Sequence, residues 1–297
     1  MVVMKMKILA GLFVALTLSS AVNAAESGAL DQIKESKSIT LGYRESSVPF
    51  AYLDNDQKPI GFSLDLCSNV VAAIQKKLGL SSLEVKYLPV NSANRMPLIK
   101  NGTITVECGG TSSSTERMKE VNFSVATFVS QPRWLVKTSS GFKKADDLKG
   151  KTVVVTQGSN SGPLVKSLIA DGLDVKVLQG KDHAESMLML EQGRAVAFLE
   201  DDILLAAKKA EARTPADYEM LDGGYTKTYY GLMLPKGDDD LKQVVDGSLK
   251  EMMASGEFVK VYDKWFTQPI ALRGTNLNVP VSEGLRDRIQ NPSDNPN

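Results

Sequence analysis

The stretch "KTVVVTQGSNSGPLVKSLIADGLDVKVLQ", residues 151–179, decides the fold. "KTVVVT" reads as a strand, "SGPLVKSLIADG" as a helix and "LDVKVLQ" as a second strand. Strand, helix and strand in so short a span is the unit of a parallel sheet, because parallel neighbours need a crossover connection. The class is therefore α/β.

The alternation extends in both directions. Downstream, "DHAESMLMLEQG" is a helix, "AVAFLE" (195–200) a strand, and "DILLAAKKAEA" a helix. Upstream, "SITLGY" (38–43), "LEVKYLPV" and "TITVEC" are strands, separated by a helix over 63–79 and a short helix in "SANRMPLIKNG". Residues 239–266 read as two amphipathic helices with lysines outside. Strand-like crossings at 129–136 and 228–234 flank the second block, so the chain leaves a first lobe and returns to it, and the two crossings can act as a hinge. The resulting division is lobe 1 over 25–131 and 230–270, lobe 2 over 132–229, and a tail over 271–297, whose last stretch "NPSDNPN" has the composition of a disordered segment.

The start of the chain reads as an export signal: Lys5 and Lys7, the apolar run "ILAGLFVALTL", then "AVNA" with Val22 and Ala24. The apolar run is shorter than the roughly 20 residues of a membrane span. Setting residues 1–24 aside removes two of the 35 basic residues and none of the 35 acidic ones, a formal charge of −2. Near neutrality does not point to nucleic acid or an anionic membrane as partner. Cys67 lies on the apolar face of the helix over 63–79, within reach of Cys108 at the end of "TITVEC". In an exported protein such a pair is bonded, or else two buried thiols. No metal-ligand spacing is present, and one histidine cannot supply a site.

Ligands of open α/β sheets bind beyond the carboxyl ends of the strands, so the residues just past each strand are the candidates. Arg44 comes after the first strand; Ser92 and Arg95 come after the second; Gly110, Ser112 and Arg117 come after the third. In the second block Ser159, His183 and Asp201 stand in the same relation to their strands. Arg117 stands in the first turn of a helix capped by Ser113 or Ser114, with a Ser113–Glu116 capping box, where the helix dipole disfavours a cation. It is therefore read as waiting for an anion; the plain alternative is a pair with Glu116 or Glu120. Asp201 can hold an ammonium group or simply cap the next helix, a role Asp202 can also take. Glu200, one residue earlier on a strand, should face the other way.

The ordered set "RESSVPF", "IGFSLDL", "SANRMPLIKNG", "ECGGTSSSTER", "VNFS", "DDLKGKTVVVTQGS", "KDHAESMLMLEQGRAVAFLEDD", "YYGLMLPKGD" and "YDKWF" resembles the polar amino-acid-binding proteins of bacterial ATP-driven importers, solute-binding protein family 3, of the glutamate/aspartate-binding type. The resemblance covers essentially the whole chain after residue 24. It implies the type II periplasmic-binding-protein fold, two lobes closing over a ligand in the periplasm, a monomer, delivery to a membrane permease and no cofactor. It also implies that Arg117, Ser112 and the Gly110 backbone hold an α-carboxylate, that Asp201 takes the α-ammonium, and that the Ser159 loop adds contacts on closure. Members of this type often carry a hydroxyl residue where this chain has Gly110. Arg44, Arg95 and His183 then face a second carboxylate, so the ligand is glutamate or aspartate. Two rivals accompany this reading. An enzyme on the same fold, resembling cyclohexadienyl dehydratase, would need an acid or base in the cleft, with Glu200 and His183 as candidates. A chemosensory co-receptor is the other.

Overall fold

The computed structural model describes residues 28–271 and 274–297. The export signal expected over residues 1–24 lies outside the described residues. Among them, no helix is long and apolar enough to cross a membrane.

Two five-stranded sheets form the two lobes. The first contains β1 (Ser38–Tyr43), β5 (Glu84–Pro89), β6 (Val106–Cys108), β8 (Asn122–Phe123) and β16 (Met233–Leu234), in the order β5-β1-β6-β16-β8. A small antiparallel sheet of β2 (Ser46–Ser47), β3 (Ala51–Leu53) and β4 (Pro59–Ile60) sits beside it. The second lobe contains β10 (Pro132–Lys137), β11 (Lys151–Thr156), β12 (Val175–Gly180), β13 (Ala197–Asp201) and β14 (Tyr218–Met220), in the order β12-β11-β13-β10-β14. In each, three parallel strands are extended by one antiparallel strand, β16 or β10, and then by a strand paired antiparallel to that one, β8 or β14. Between the lobes run β7 (Ser112–Ser113), β9 (Phe128–Ser130) and β15 (Thr228–Tyr230), a three-stranded antiparallel ribbon through which the chain passes both ways.

Strand alternation distributes the core. In β11, Val153 and Val155 pack on one face and Val154 on the other; in β13, Ala197 and Leu199 oppose Phe198 in the same way. In β6, Val106 and Cys108 turn into the helix-covered core of the first lobe. Cys108 is bonded there to Cys67 of the helix Phe62–Leu78, with Cα atoms 6.3 Å apart. The centre of that core is aromatic: Phe50, Phe62, Phe128, Tyr230, Tyr262 and Phe266 meet at ring separations of 4.3–6.2 Å. Ile203, Leu204 and Ala207, from the helix Asp202–Glu211 that succeeds a second-lobe strand, join the same core. The lobes are thus packed against each other.

The tail differs from its sequence reading. Residues 283–290 form a helix lying against the ribbon, with the Arg288 guanidinium 4.0 Å above the Tyr229 ring. Within "NPSDNPN", Ser293 accepts a hydrogen bond from Ala126 N–H, and Asp294 pairs with Lys242 at 3.0 Å. A polar composition alone indicates no core, but these partners come from distant segments and tie the stretch down.

Candidate functional site

The carboxyl ends of the parallel strands in both sheets face the seam between the lobes. Arg44, just beyond β1, is 1% exposed, and neither Nη1 nor Nη2 has a hydrogen-bond partner. Burial, then the charge of Arg95, lowers its pKa to about 10, so it stays a cation at neutral pH. Arg95 opens the helix Arg95–Lys100 and is also buried; its Nη1 bonds Thr111 Oγ1 and stands 3.7 Å from Glu107 Oε1. The Ser92 hydroxyl is buried without a partner.

Arg117 answers the question its position raises. Glu116 pairs with Lys119 and Glu120 with Lys100, so the two carboxylates beside it are taken. Its guanidinium instead donates to Ser112 O and Oγ, both at 2.8 Å, and across the seam to Gly158 O at 3.0 Å. The residue is half-buried; desolvation of the guanidinium, then Arg95, lowers its pKa to about 10. Two local expectations change. Of the two possible caps it is Ser114 that accepts from Arg117 N–H; Ser113 Oγ bonds Tyr229 O in the ribbon, so the Ser113–Glu116 capping box does not form. The helix is only Thr115–Met118, a single turn in which Arg117 is the third of four residues, so the macrodipole is not what orients it.

Gly110 lies against aromatic rings. A Cβ there would stand 2.9 Å from Phe50 Cδ2 and 3.2 Å from Tyr230 Cε2, closer than side chains normally approach, so these rings favour glycine. Gly158, in the facing loop, has φ +76° and lies so close to the Ser92–Ala93 backbone that a Cβ would be 2.6 Å from Ser92 O. Backbone meets backbone across the seam at that point.

The second lobe supplies Ser159, His183 and Asp201, all buried. Ser159 Oγ accepts from Ser161 N–H. Asp201 occupies the cap position of the next helix but makes no cap hydrogen bond; its carboxylate accepts from Tyr230 OH at 2.5 Å, Asn160 Nδ2 at 3.1 Å and Thr228 Oγ1 at 3.3 Å. Asp202 bonds Ile203 N–H and Ser130 Oγ instead, freeing Asp201 for the seam. Burial raises Asp201, and those bonds pull it back. His183 Nδ1 lies 3.0 Å from Thr156 Oγ1 and 3.4 Å from Glu200 Oε2. Burial, then Arg44, Lys208 and Arg95, holds the ring well below its usual pKa, so it is neutral and offers one N–H donor.

Glu200 and Glu107 are not among the strand-end candidates. Alternation does separate the partners of Glu200 from those of Asp201, since Glu200 Oε1 accepts from Ser161 Oγ and from Asp201 N–H. It does not remove Glu200 from the seam: its charge acts on Arg44 and on Arg117. Burial and Asp201 push it up to about 7. Three guanidinium groups therefore meet three carboxyl groups, one of them partly protonated near neutrality, rather than one carboxylate. A surface cavity of about 660 Å³ lies beside Lys137, Glu191, Arg213 and Tyr218. Lys137 is at the opposite end of the second sheet from Asp201, so that cavity is separate from the seam.

Two lobes with their strand ends facing, a hinge ribbon and charged groups from both sides meeting in one seam are the architecture the resemblance implies. The sequence profile of the bacterial extracellular solute-binding proteins, family 3, matches residues 39–268. The chain belongs to this family. A family 3 relative from Pseudomonas aeruginosa, the "L-glutamate/L-aspartate-binding protein", is 48% identical over 95% of this chain and 94% of its own. The Escherichia coli "Glutamate/aspartate import solute-binding protein" is 39% identical over 94% of this chain and 95% of its own. Among solved structures, a variant of ArgBP from T. maritima superposes with a TM-score of 0.71 at 28% identity, covering 80% of this chain and 98% of that one. Each is a binding protein by its own name, and the enzyme reading finds no support among them.

Proposed function

We propose that this family 3 protein captures glutamate or aspartate in the seam between its lobes and delivers it to the membrane permease of an ABC importer. The observation that carries the reading is Arg44: a buried cation with both Nη atoms unpartnered, beside Arg95 and facing His183 of the other lobe. A buried guanidinium whose Nη donors meet no acceptor is costly, so this one is built to receive a carboxylate. Arg44 and Arg95, with the Ser92 hydroxyl and the single N–H of His183, hold the ligand's side-chain carboxylate. Arg117, Ser112 and the Gly110 backbone hold the α-carboxylate, and Asp201 takes the α-ammonium. Ser159 and its loop join when Gly158 closes on Ser92 and Ala93. Names of the two curated relatives support the same ligand class.

Discrimination arises from charge. A neutral amino acid would leave Arg44 without a partner, and breaking a buried pair costs about 3–5 kcal/mol. Closure is a population shift driven by contacts found only in the closed state, such as the Arg117 bond to Gly158 O. The test is calorimetric titration of ligand-stripped protein with the twenty amino acids. Glutamate or aspartate should bind, and Arg117→Ala should weaken that binding about 10²–10³-fold or more. Lys260→Ala, at an exposed lysine paired with Glu257, should leave it unchanged. Tight binding of neutral amino acids in preference to acidic ones would overturn the assignment.

A further inference from the structure

We propose that Glu107 sets the charge capacity of the side-chain pocket: as a buried counter-ion between Arg44 and Arg95, it leaves room for one ligand negative charge and excludes side chains carrying two. The proposal rests on the acidic-ligand reading above. Glu107 is the middle residue of β6, flanked by Gly42 of β1 and Met233 of β16, and fully buried. Since Val106 and Cys108 turn into the helix-covered core, Glu107 projects to the opposite face, toward Thr111 and Arg95. There Oε2 accepts from Thr111 Oγ1 at 2.6 Å, while Oε1 faces Arg95 at 3.7 Å with no hydrogen bond. Thr111 also bonds Arg95, so carboxylate, hydroxyl and guanidinium form one buried unit. Gly109 makes room for it: a Cβ there would collide with Glu107 Oε1 and stand 3.0 Å from Arg44 Cγ. The charge of Glu107 acts on Arg44 and on Arg117.

For affinity alone this group is counterproductive. Burying a carboxylate costs free energy, and beneath an anion site it repels the ligand. Its effect is to relieve the repulsion between Arg44 and Arg95 and, with the charges of Glu200 and Asp182 that also act on Arg44, to cut the positive charge that a ligand side chain meets. A dianionic side chain would bring one negative charge with no counter-ion into a site that screens poorly.

The probe is the analogue of glutamate whose side-chain carboxylate is replaced by a phosphonate; carbon in place of the ester oxygen raises its second pKa about one unit above the roughly 6 of a phosphate ester, so it is mostly monoanionic near pH 6 and dianionic near pH 8.5. Wild-type protein and Glu107→Gln are titrated calorimetrically with glutamate and with the analogue. Near pH 8.5 the variant should shift the analogue-to-glutamate affinity ratio about tenfold or more toward the analogue. Purely structural damage would weaken both ligands together, and a ratio moving less than about twofold overturns the proposal. If the variant does not melt cooperatively, wild-type protein decides: its ratio should fall about tenfold from pH 6 to pH 8.5, and a flat ratio overturns the proposal. Glu200, with a pKa raised to about 7, ionises over the same range and also repels a dianion, so the pH comparison is repeated in Glu200→Gln, where the fall should persist; phosphonate size cancels between the two pH values. Wild-type protein that binds neither glutamate nor aspartate would overturn the acidic-ligand reading itself, a result distinct from an unmoved ratio.

Discussion

Replacing Tyr230 by Phe removes one oxygen atom and tests how the seam keeps Asp201 ionised. The ring of Tyr230 packs at 5.1 Å from Phe50 and 5.7 Å from Phe128, contacts that Phe preserves. What is lost is the 2.5 Å bond from its hydroxyl to Asp201 Oδ2. A hydrogen bond to a charged group is worth about 1.5–3 kcal/mol, and a tenfold change in an acid constant about 1.4 kcal/mol, so the Asp201 pKa should rise by about one to two pH units. The direction adds to the effect of burial, which already raises it. Only the carboxylate can hold the ligand ammonium, so affinity falls as pH drops through the Asp201 pKa of the free protein. In the variant that acid limb should begin about one to two pH units higher. Calorimetric titration of glutamate from about pH 4.5 to 8 on both proteins is the assay. Near pH 8 the affinities should be similar, and toward acid they should diverge by about 10- to 150-fold. Glu200 titrates in the same range but contributes to both proteins, so the difference between the curves isolates Asp201. Curves that stay parallel over the range would refute the role of this bond.

Three further outcomes are expected. Gly110→Ser should destabilise the protein by about 1–3 kcal/mol in denaturant melts, because its Cβ meets the Phe50 and Tyr230 rings; an unchanged midpoint would show that the rings give way. Removing the Cys67–Cys108 bond, whose residues are 41 apart, with the double alanine variant should cost about 4 kcal/mol on the chain-entropy account, and a loss below about 1 kcal/mol would contradict that account. Glu200 has a folded pKa raised to about 7, so its contribution to stability is present below the unfolded carboxyl range and is lost as pH rises through about 7. Glu200→Gln lacks that loss, and its stability relative to wild type should improve between about pH 4.5 and pH 8 by on the order of 3 kcal/mol in ligand-free melts; a constant difference would refute the shift.

Much of the architecture is legible in the chain. The strand, helix and strand over 151–179, the helix Phe62–Leu78 that carries Cys67, and both ribbon crossings are set by periodicity, which is a local property. The rule that ligands collect beyond strand ends drew attention to Arg44, Ser92, Arg95, Arg117, Ser159, His183 and Asp201, and the seam brings these residues together. Reading helix caps from spacing was less reliable: Ser113 and Ser114 both fit, and only the ribbon's claim on Ser113 leaves the cap to Ser114. The helix Glu283–Gln290 and the packed tail were missed because their partners, Ala126, Tyr229 and Lys242, are far away in sequence.

What the sequence by itself determined is the set of elements and the chemistry at their ends, since apolar spacing and turn residues act over a few positions. Which charges face one another was decided only by the tertiary structure. Glu107 and Glu200 each sit inside an apolar strand where nothing local distinguishes a structural acid from a counter-ion, and they became legible only when the sheets placed one beside Arg95 and the other beside His183. Electrostatic interaction depends on distance in space and on burial, and neither is a property of neighbouring positions along the chain.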